Sequence, residues 1–277
     1  NPGRALRIDG GLVARGTGAN GIVFSSSNAS PQPGDWGYLL FGATSIDATY
    51  DGSGNYLSGS ILEYATVQYA GSAPTLQGAV RLDNAAPYIH NATIQHNANG
   101  GIYSFNGGTP HIVGNTVSNN TTAQTAGGGI YVSGGALLSS NTVSNNSITY
   151  SSTTYGGGIY AQSGANVTNN TVTGNTLPSY GQGAGIYLSA STATGNTVSN
   201  NSSANTYGGG LYATSSTVSN NTVSNNTVSG RCYGCGMYIE TNSTATGNTI
   251  TGNVLTAGSS SSYGGGLYAS SSTVTDN

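Results

Sequence analysis

Apolar side chains in this chain come singly or in short pairs between polar residues, and their spacing repeats along the sequence. One recurring phrase is Gly-Gly-Gly-Ile-Tyr and its variants, whose aliphatic residue falls at Val80, Ile102, Ile130, Ile159, Ile186, Leu211, Met237 and Leu267, about 22 to 30 residues apart. The other is Asn-Thr-Val-Ser-Asn-Asn and its variants, centred on Ile94, Val117, Val143, Val172, Val198, Val223 and Ile250. The two phrases alternate. The step from the first to the second is nearly constant at about 12 to 15 residues, whereas the return varies from about 8 to 17. A period of this size, built from short β-branched segments with no 3.6-residue apolar pattern, is a solenoid signal. A third short strand between the phrases is clearest at Ser216-Thr217-Val218-Ser219. The pattern predicts an all-β, single-stranded parallel β-helix (β-solenoid), with three short strands per coil and about ten coils. Residues 1–76 read as less regular N-terminal coils, and 77–277 as regular repeats continuous with them in one solenoid domain.

Side chains alternate between the two faces of a strand, so the aliphatic residue of each phrase points inward and its neighbours point out. Stacking the coils then generates columns. One outward column holds Tyr103, Tyr131, Tyr160, Tyr187, Tyr212, Tyr238 and Tyr268; another holds Thr93, Thr116, Thr142, Thr171, Thr197, Thr222 and Thr249. Three residues after each aliphatic of the second phrase sits an asparagine: Asn97, Asn120, Asn146, Asn175, Asn201, Asn226 and Asn253. These predict a structural ladder in which each amide bonds to the coils above and below, satisfying backbone groups that a corner leaves unpaired. Gly and Asn supply the left-handed corner conformations. The stretches of varying length, such as Thr121 to Ala126 and Ser147 to Tyr155, are expected to be exposed loops ahead of each glycine run.

Composition narrows the function classes. Charged residues make up 5% of the chain against roughly a quarter in ordinary domains, and the net charge is −3. Weak net charge and 19 tyrosines argue for order rather than disorder. There is no lysine, and the five basic residues are scattered arginines, so nucleic acid is not an expected partner. No apolar run approaches the roughly 20 residues of a membrane span, so no membrane insertion is expected. Cys232 and Cys235 form a single C-x-x-C without the second pair or histidines that zinc needs, which favours a local disulfide over a free pair.

The repeats Gly127 to Tyr131 and Asn141 to Asn146 are joined by further motifs nearer the N-terminus. These are Gly11-Leu12-Val13-Ala14-Arg15-Gly16-Thr17, Gly21-Ile22-Val23-Phe24, Gly34-Asp35-Trp36-Gly37 and the stretch Leu62 to Gly71. Across essentially the whole chain they resemble the secreted or surface proteins of bacteria and archaea with right-handed parallel β-helix repeats, architecturally similar to pectate lyase. The resemblance implies the fold and a secreted or cell-surface location. It leaves the activity open, because that scaffold serves lyases, hydrolases, adhesins and filaments alike. The chain departs from the catalytic branches in lacking lysine and in a long carboxylate-free stretch.

Lyases of this fold class use clustered carboxylates to hold calcium, and the hydrolases use paired carboxylates near one bond. The eight acids here are Asp9, Asp35, Asp47, Asp51, Glu63, Asp83, Glu240 and Asp276, and none lies between Asn84 and Ile239. The expectation is a non-enzyme with no catalytic residues, no metal and no cofactor. The best remaining constellation is Arg81 with Asp83, two apart on one strand, near His90, His96 and His111; a surface ion pair and solvated turn histidines explain it equally well. Asp47 and Asp51 could offer oxygens to calcium, but their spacing misses the EF-hand loop, so an ordinary polar loop is favoured.

The tyrosine column, enlarged by Tyr155, Tyr180, Tyr207, Tyr233 and Tyr263 ahead of the glycine runs, offers aromatic faces that can stack on sugar rings or on a neighbouring rod. The alternative is that stacking merely stabilises the coils. Thr-x-Ser/Thr rows, as in Thr171-Val172-Thr173, resemble those of ice-binding β-solenoids, though β-propensity explains threonine there as cheaply. Sequons such as Asn28-Ala29-Ser30, Asn91-Ala92-Thr93 and Asn225-Asn226-Thr227 offer glycosylation points that the repeat generates automatically. Leu267 to Asn277 parallels Leu211 to Asn221, so the last coil is unfinished. Two readings follow: a fragment of a longer adhesin, or rods that join end to end. The expected function is therefore an extracellular structural or adhesive β-solenoid that partners itself, end to end and laterally, in a filament or surface fibre. Glycan binding or degradation and ice binding are the alternatives.

Overall fold

The computed structural model describes residues 3–72, 77–257 and 262–277. Strands of mostly three or four residues stack in register into three parallel sheets of ten, ten and nine strands. One coil shows the plan: Ile159–Gln162 lies in the first sheet, Asn166–Thr168 in the second and Thr171–Thr173 in the third. Each strand pairs with its counterpart one coil along, Ile159 with Ile186, Val167 with Ala193 and Val172 with Val198. This is the three-strand β-solenoid that the alternating phrases predict. Among the described residues no helix is long and apolar enough to cross a membrane.

The period-2 alternation sets which side chains fill the bore. In Ile159-Tyr160-Ala161-Gln162 the first and third residues are buried and the second and fourth half-buried. The inward residues of all three sheets, from Leu39 and Phe41 through Val117, Leu138 and Val172 to Met237 and Ile239, form one continuous core. The first sheet carries the pairing through both expected halves of the chain, since Leu39 pairs with Val80. The boundary expected at 76/77 falls beside residues 73–76, which lie outside the described residues. An antiparallel hairpin, Thr49–Tyr50 with Tyr56–Ser58, is inserted among the N-terminal coils.

Two asparagine ladders line the corners of the third sheet. The ladder read from the sequence runs through Asn97, Asn120, Asn146, Asn175, Asn201, Asn226 and Asn253. Asn146 Oδ1 accepts from both the N–H and Nδ2 of Asn120, at 3.1 and 2.9 Å, while its own Nδ2 donates to Asn175 Oδ1 and to the Val117 carbonyl. A second ladder, Asn115, Asn141, Asn170, Asn196, Asn221, Asn248 and Asn277, repeats the same bonds at the corner between the second and third sheets. Its signal was the first asparagine of every Asn-Thr-Val phrase. A shorter serine file, Ser191, Ser216 and Ser243, does similar work at the corner between the first and second sheets.

The glycine runs have a steric cause in the first ladder. A Cβ on Gly158 would lie 2.7 Å from Val172 Cγ1 and 2.8 Å from Asn175 Nδ2. From Gly101 to Gly236 the last glycine of each run is thus the hollow into which an asparagine and a β-branched aliphatic residue of its own coil fit.

The variable stretches differ from expectation. Rather than exposed loops throughout, they carry short strands, among them Ser147–Ile148, Thr176–Gln182, Ser202–Tyr207 and Thr227–Val228, that form a fourth sheet of eight strands along one flank. The reason is the occasional aliphatic residue within them. Ile148, Leu177 and Ala184 are buried in a small satellite core, and Val228 with Cys232 and Cys235 in another. Residues with an apolar anchor are held against the coil, and their backbones then pair with the next.

Candidate functional site: the tyrosine flank

The seven tyrosines of the first sheet come into register, Tyr131 on Tyr160 on Tyr187 on Tyr212, and so on through Tyr268. Ring centroids follow one another at 4.5, 4.7, 4.7, 5.0, 5.3 and 5.1 Å, and from Tyr131 onward the planes lie within 8° of parallel. A parallel sheet imposes this, since its strand spacing of about 4.8 Å is close to the offset stacking distance of aromatic rings. Burial pushes the Tyr131 and Tyr160 hydroxyls up to about 12.

The column is not uniformly open to solvent, as the sequence suggests. Tyr212 and Tyr238 are only 3% and 8% exposed. The edge of Tyr207 packs on Tyr238 at 5.2 Å, and Glu240 lies between the two phenols, accepting from Tyr212 and, at 3.1 Å, from Tyr238. The remaining members are half-buried.

Beside this column the fourth sheet carries its own aromatics. Tyr207 stacks on Tyr233 at 5.1 Å, and Tyr233 meets Tyr263 at 5.3 Å. Tyr180 and Tyr263 are 64% and 56% exposed. Between Tyr180, Tyr207 and Tyr233 opens a cleft of about 170 Å³, whose polar lining includes Gln182, Asn205 and Arg231. Cys232 and Cys235 form a disulfide, and Cys232 lies between Arg231 and Tyr233 of the cleft lining in the chain. Cys232–Tyr233 pairs with Thr206–Tyr207, so the bridge sits at the base of the strand that presents Tyr233.

The other sequence candidates disperse. Arg81 and Asp83 do not pair. The Arg81 guanidinium is buried among the rings of Tyr38, Tyr103 and Phe105, 5.3, 5.7 and 5.1 Å away, and donates to the Gln77 carbonyl, while Asp83 accepts from Asn106. Alternation fails as a guide there because aromatic rings close over the guanidinium. His111 stacks on Tyr50 at 4.0 Å, and burial holds its pKa below the usual histidine value. His96 stacks on Tyr69. His90 instead bonds through Nδ1 to Glu63 at 3.0 Å, and Glu63 also takes Arg15 at 2.7 Å. This three-coil line was illegible in the sequence, because residues 15, 63 and 90 meet only once the second sheet's register is known.

Asp47 accepts from the Ala86 N–H, and Asp51 closes the hairpin turn on the Ser53 and Asn55 N–H groups. Among the described residues no group of three or more His, Cys, Asp or Glu could hold a metal ion. The threonine column is in register on the third sheet, with Thr93 half-buried and the others exposed.

A family model described as right handed beta helix region matches residues 78–255. The chain belongs to that right-handed β-helix family. The match covers most of the regular coils of this β-helix protein, including the tyrosine column from Tyr103 to Tyr238 and the asparagine ladders as far as Asn248 and Asn253. No curated protein and no solved structure matches it.

Proposed function

We propose that this β-helix protein is an extracellular structural and adhesive rod, which assembles with copies of itself into a filament or surface fibre and makes its contacts through the tyrosine flank. The flank carries the proposal: two neighbouring files of stacked tyrosines run along successive coils, one opening to solvent at Tyr180, Tyr207 and Tyr263. Aromatic faces of this kind bury large area at low entropic cost and suit sugar rings or another rod. The disulfide fits an oxidising, extracellular compartment. Self-assembly would reuse the bonds that join coil to coil, backbone ladders and asparagine amides, which already repeat without a change of partner. Electron microscopy of the purified chain, with sedimentation of polysaccharide-coated beads, tests both halves. Rods that lengthen with concentration and bead capture weakened at least fivefold by Tyr180→Ala with Tyr207→Ala are expected. Separate short rods that leave every coated bead bare would overturn it.

The in-register threonine column supports ice binding as a second reading, which thermal hysteresis no greater than that of an unrelated protein of equal mass would dismiss.

A further inference from the structure

The cleft between Tyr180, Tyr207 and Tyr233 holds a charge with no counter-charge. Arg231 is the only arginine or lysine after Arg81, and no acid lies between Asn84 and Ile239. The nearest acid along the chain, Glu240, is engaged by Tyr212 and Tyr238 in the neighbouring column. Among the described residues Arg231 forms no salt bridge. Its position is nevertheless built. The Arg231 N–H donates to Asn205 Oδ1 at 2.8 Å, the guanidinium lies 4.7 Å over the Tyr233 ring, and it donates to the Tyr233 hydroxyl. Tyr233 is in turn fixed by stacking on Tyr207 and by pairing of its strand with Ser202–Tyr207. One tyrosine hydroxyl occupies a single edge of a group that carries five donors, so a fork of N–H groups is left for an anion.

We propose that this cleft binds one anionic ring of a glycan, a sugar carrying a carboxylate or a sulfate, with the anion on Arg231 and the ring against the exposed tyrosines. The inference rests on the adhesive reading of the flank and adds to it a charge preference at one place. The size agrees: about 170 Å³ is below the roughly 300–1,000 Å³ of sites that enclose a drug-sized ligand, and suits a single ring whose chain continues in solvent. Both anions share what the guanidinium recognises, oxygens set for two parallel charge-assisted hydrogen bonds. Gln182 and Asn205 add amide groups along the same wall. A neutral sugar would leave the guanidinium fork unpaired, and an anion without a ring would forgo the tyrosines.

The test is calorimetric titration of the full chain with three oligosaccharides of one linkage: neutral, uronate and sulfated. The uronate or the sulfated form is expected to bind about tenfold tighter than the neutral one, and whichever leads identifies the source of the anion. Arg231→Gln is expected to erase that difference while leaving neutral binding in place. Raising the salt concentration on the unmodified chain should weaken only the anionic ligands, which keeps the test valid if the variant folds poorly. Equal affinity for all three, unchanged by Arg231→Gln and by salt, overturns the charge preference and leaves adhesion standing. No binding of any of the three overturns glycan adhesion itself.

Discussion

At the scale of a residue, the asparagines show how a polar side chain can be the least replaceable part of a core. Asn146 is fully buried, yet its amide makes bonds to the coil before and the coil after. Asn146→Ala removes an acceptor from the Asn120 amide and strands buried donors, each costing about 1–3 kcal/mol. Chemical denaturation should show a loss of that order, and Thr142→Ala, on the exposed face of the same coil, should cost far less. The tyrosines carry a pH dependence whose sign follows from burial. An unfolded phenol ionises near 10, whereas Tyr131 and Tyr160 are held neutral up to about 12. Their contribution is therefore complete below about pH 10 and is lost as pH rises toward 12. Unfolding midpoints should fall across that window, and phenolate absorbance should show a late-titrating class of tyrosines. For His111, whose pKa is lowered by burial, the sign is opposite. Protonation favours the unfolded chain, so stability contributed there is present at neutral pH and declines as pH falls below about 6.5.

At the scale of an element, single strands of three or four residues have no independent stability, and the glycine runs decide how closely they stack. Gly158→Ala places a methyl group where Val172 and Asn175 already sit, a clash with the bore and with the ladder together. Overpacking of this kind costs about 1–3 kcal/mol, which thermal melting would register, whereas Gly52→Ala, with open space around it and no left-handed backbone, should cost little. The Cys232–Cys235 bridge closes a loop of sequence separation 3, so its chain-entropy contribution is small, about 2 kcal/mol. Reduction should leave the three main sheets intact by circular dichroism while loosening the strand that carries Tyr233 and, just ahead of it, Arg231. A ligand titration that survives reduction unchanged would separate the cleft from the bridge.

At the scale of the whole molecule, stability is a sum of interfaces between neighbouring coils, so local opening should follow local packing. The regular coils bury Ile130, Leu138, Val143, Ile159, Val167 and Val172 completely, whereas Ile22 and Phe24, the inward residues of a first-coil strand, are only half-buried. Amide exchange is expected to be slowest from Ile130 to Ser224 and markedly faster at Val13–Arg15 and Ile22–Phe24. Uniform protection along the rod would contradict a nearest-neighbour account.

What the sequence determined by itself was everything governed by short-range periodicity. The alternation of one inward aliphatic with polar neighbours, and the recurrence of two phrases, specified the strands, the coil, the stacked tyrosines and the first asparagine ladder. A parallel, in-register solenoid converts sequence position directly into spatial position, so a repeat read along the chain becomes a column in space. Tertiary structure decided whatever depends on residues from different coils meeting outside that register. It decided that Arg81 turns into a cage of rings and that the variable stretches pair into a fourth sheet around Ile148 and Leu177. It also decided that Tyr212 and Tyr238 are covered by the file beside them, and that Arg231 stands over Tyr233 at the mouth of a cleft. The physical reason is the same in each case. Inside the repeat, backbone hydrogen bonds dictate the neighbours, whereas outside it contacts depend on side-chain length, ring packing and the chance placement of an apolar anchor, and a one-dimensional pattern does not encode these.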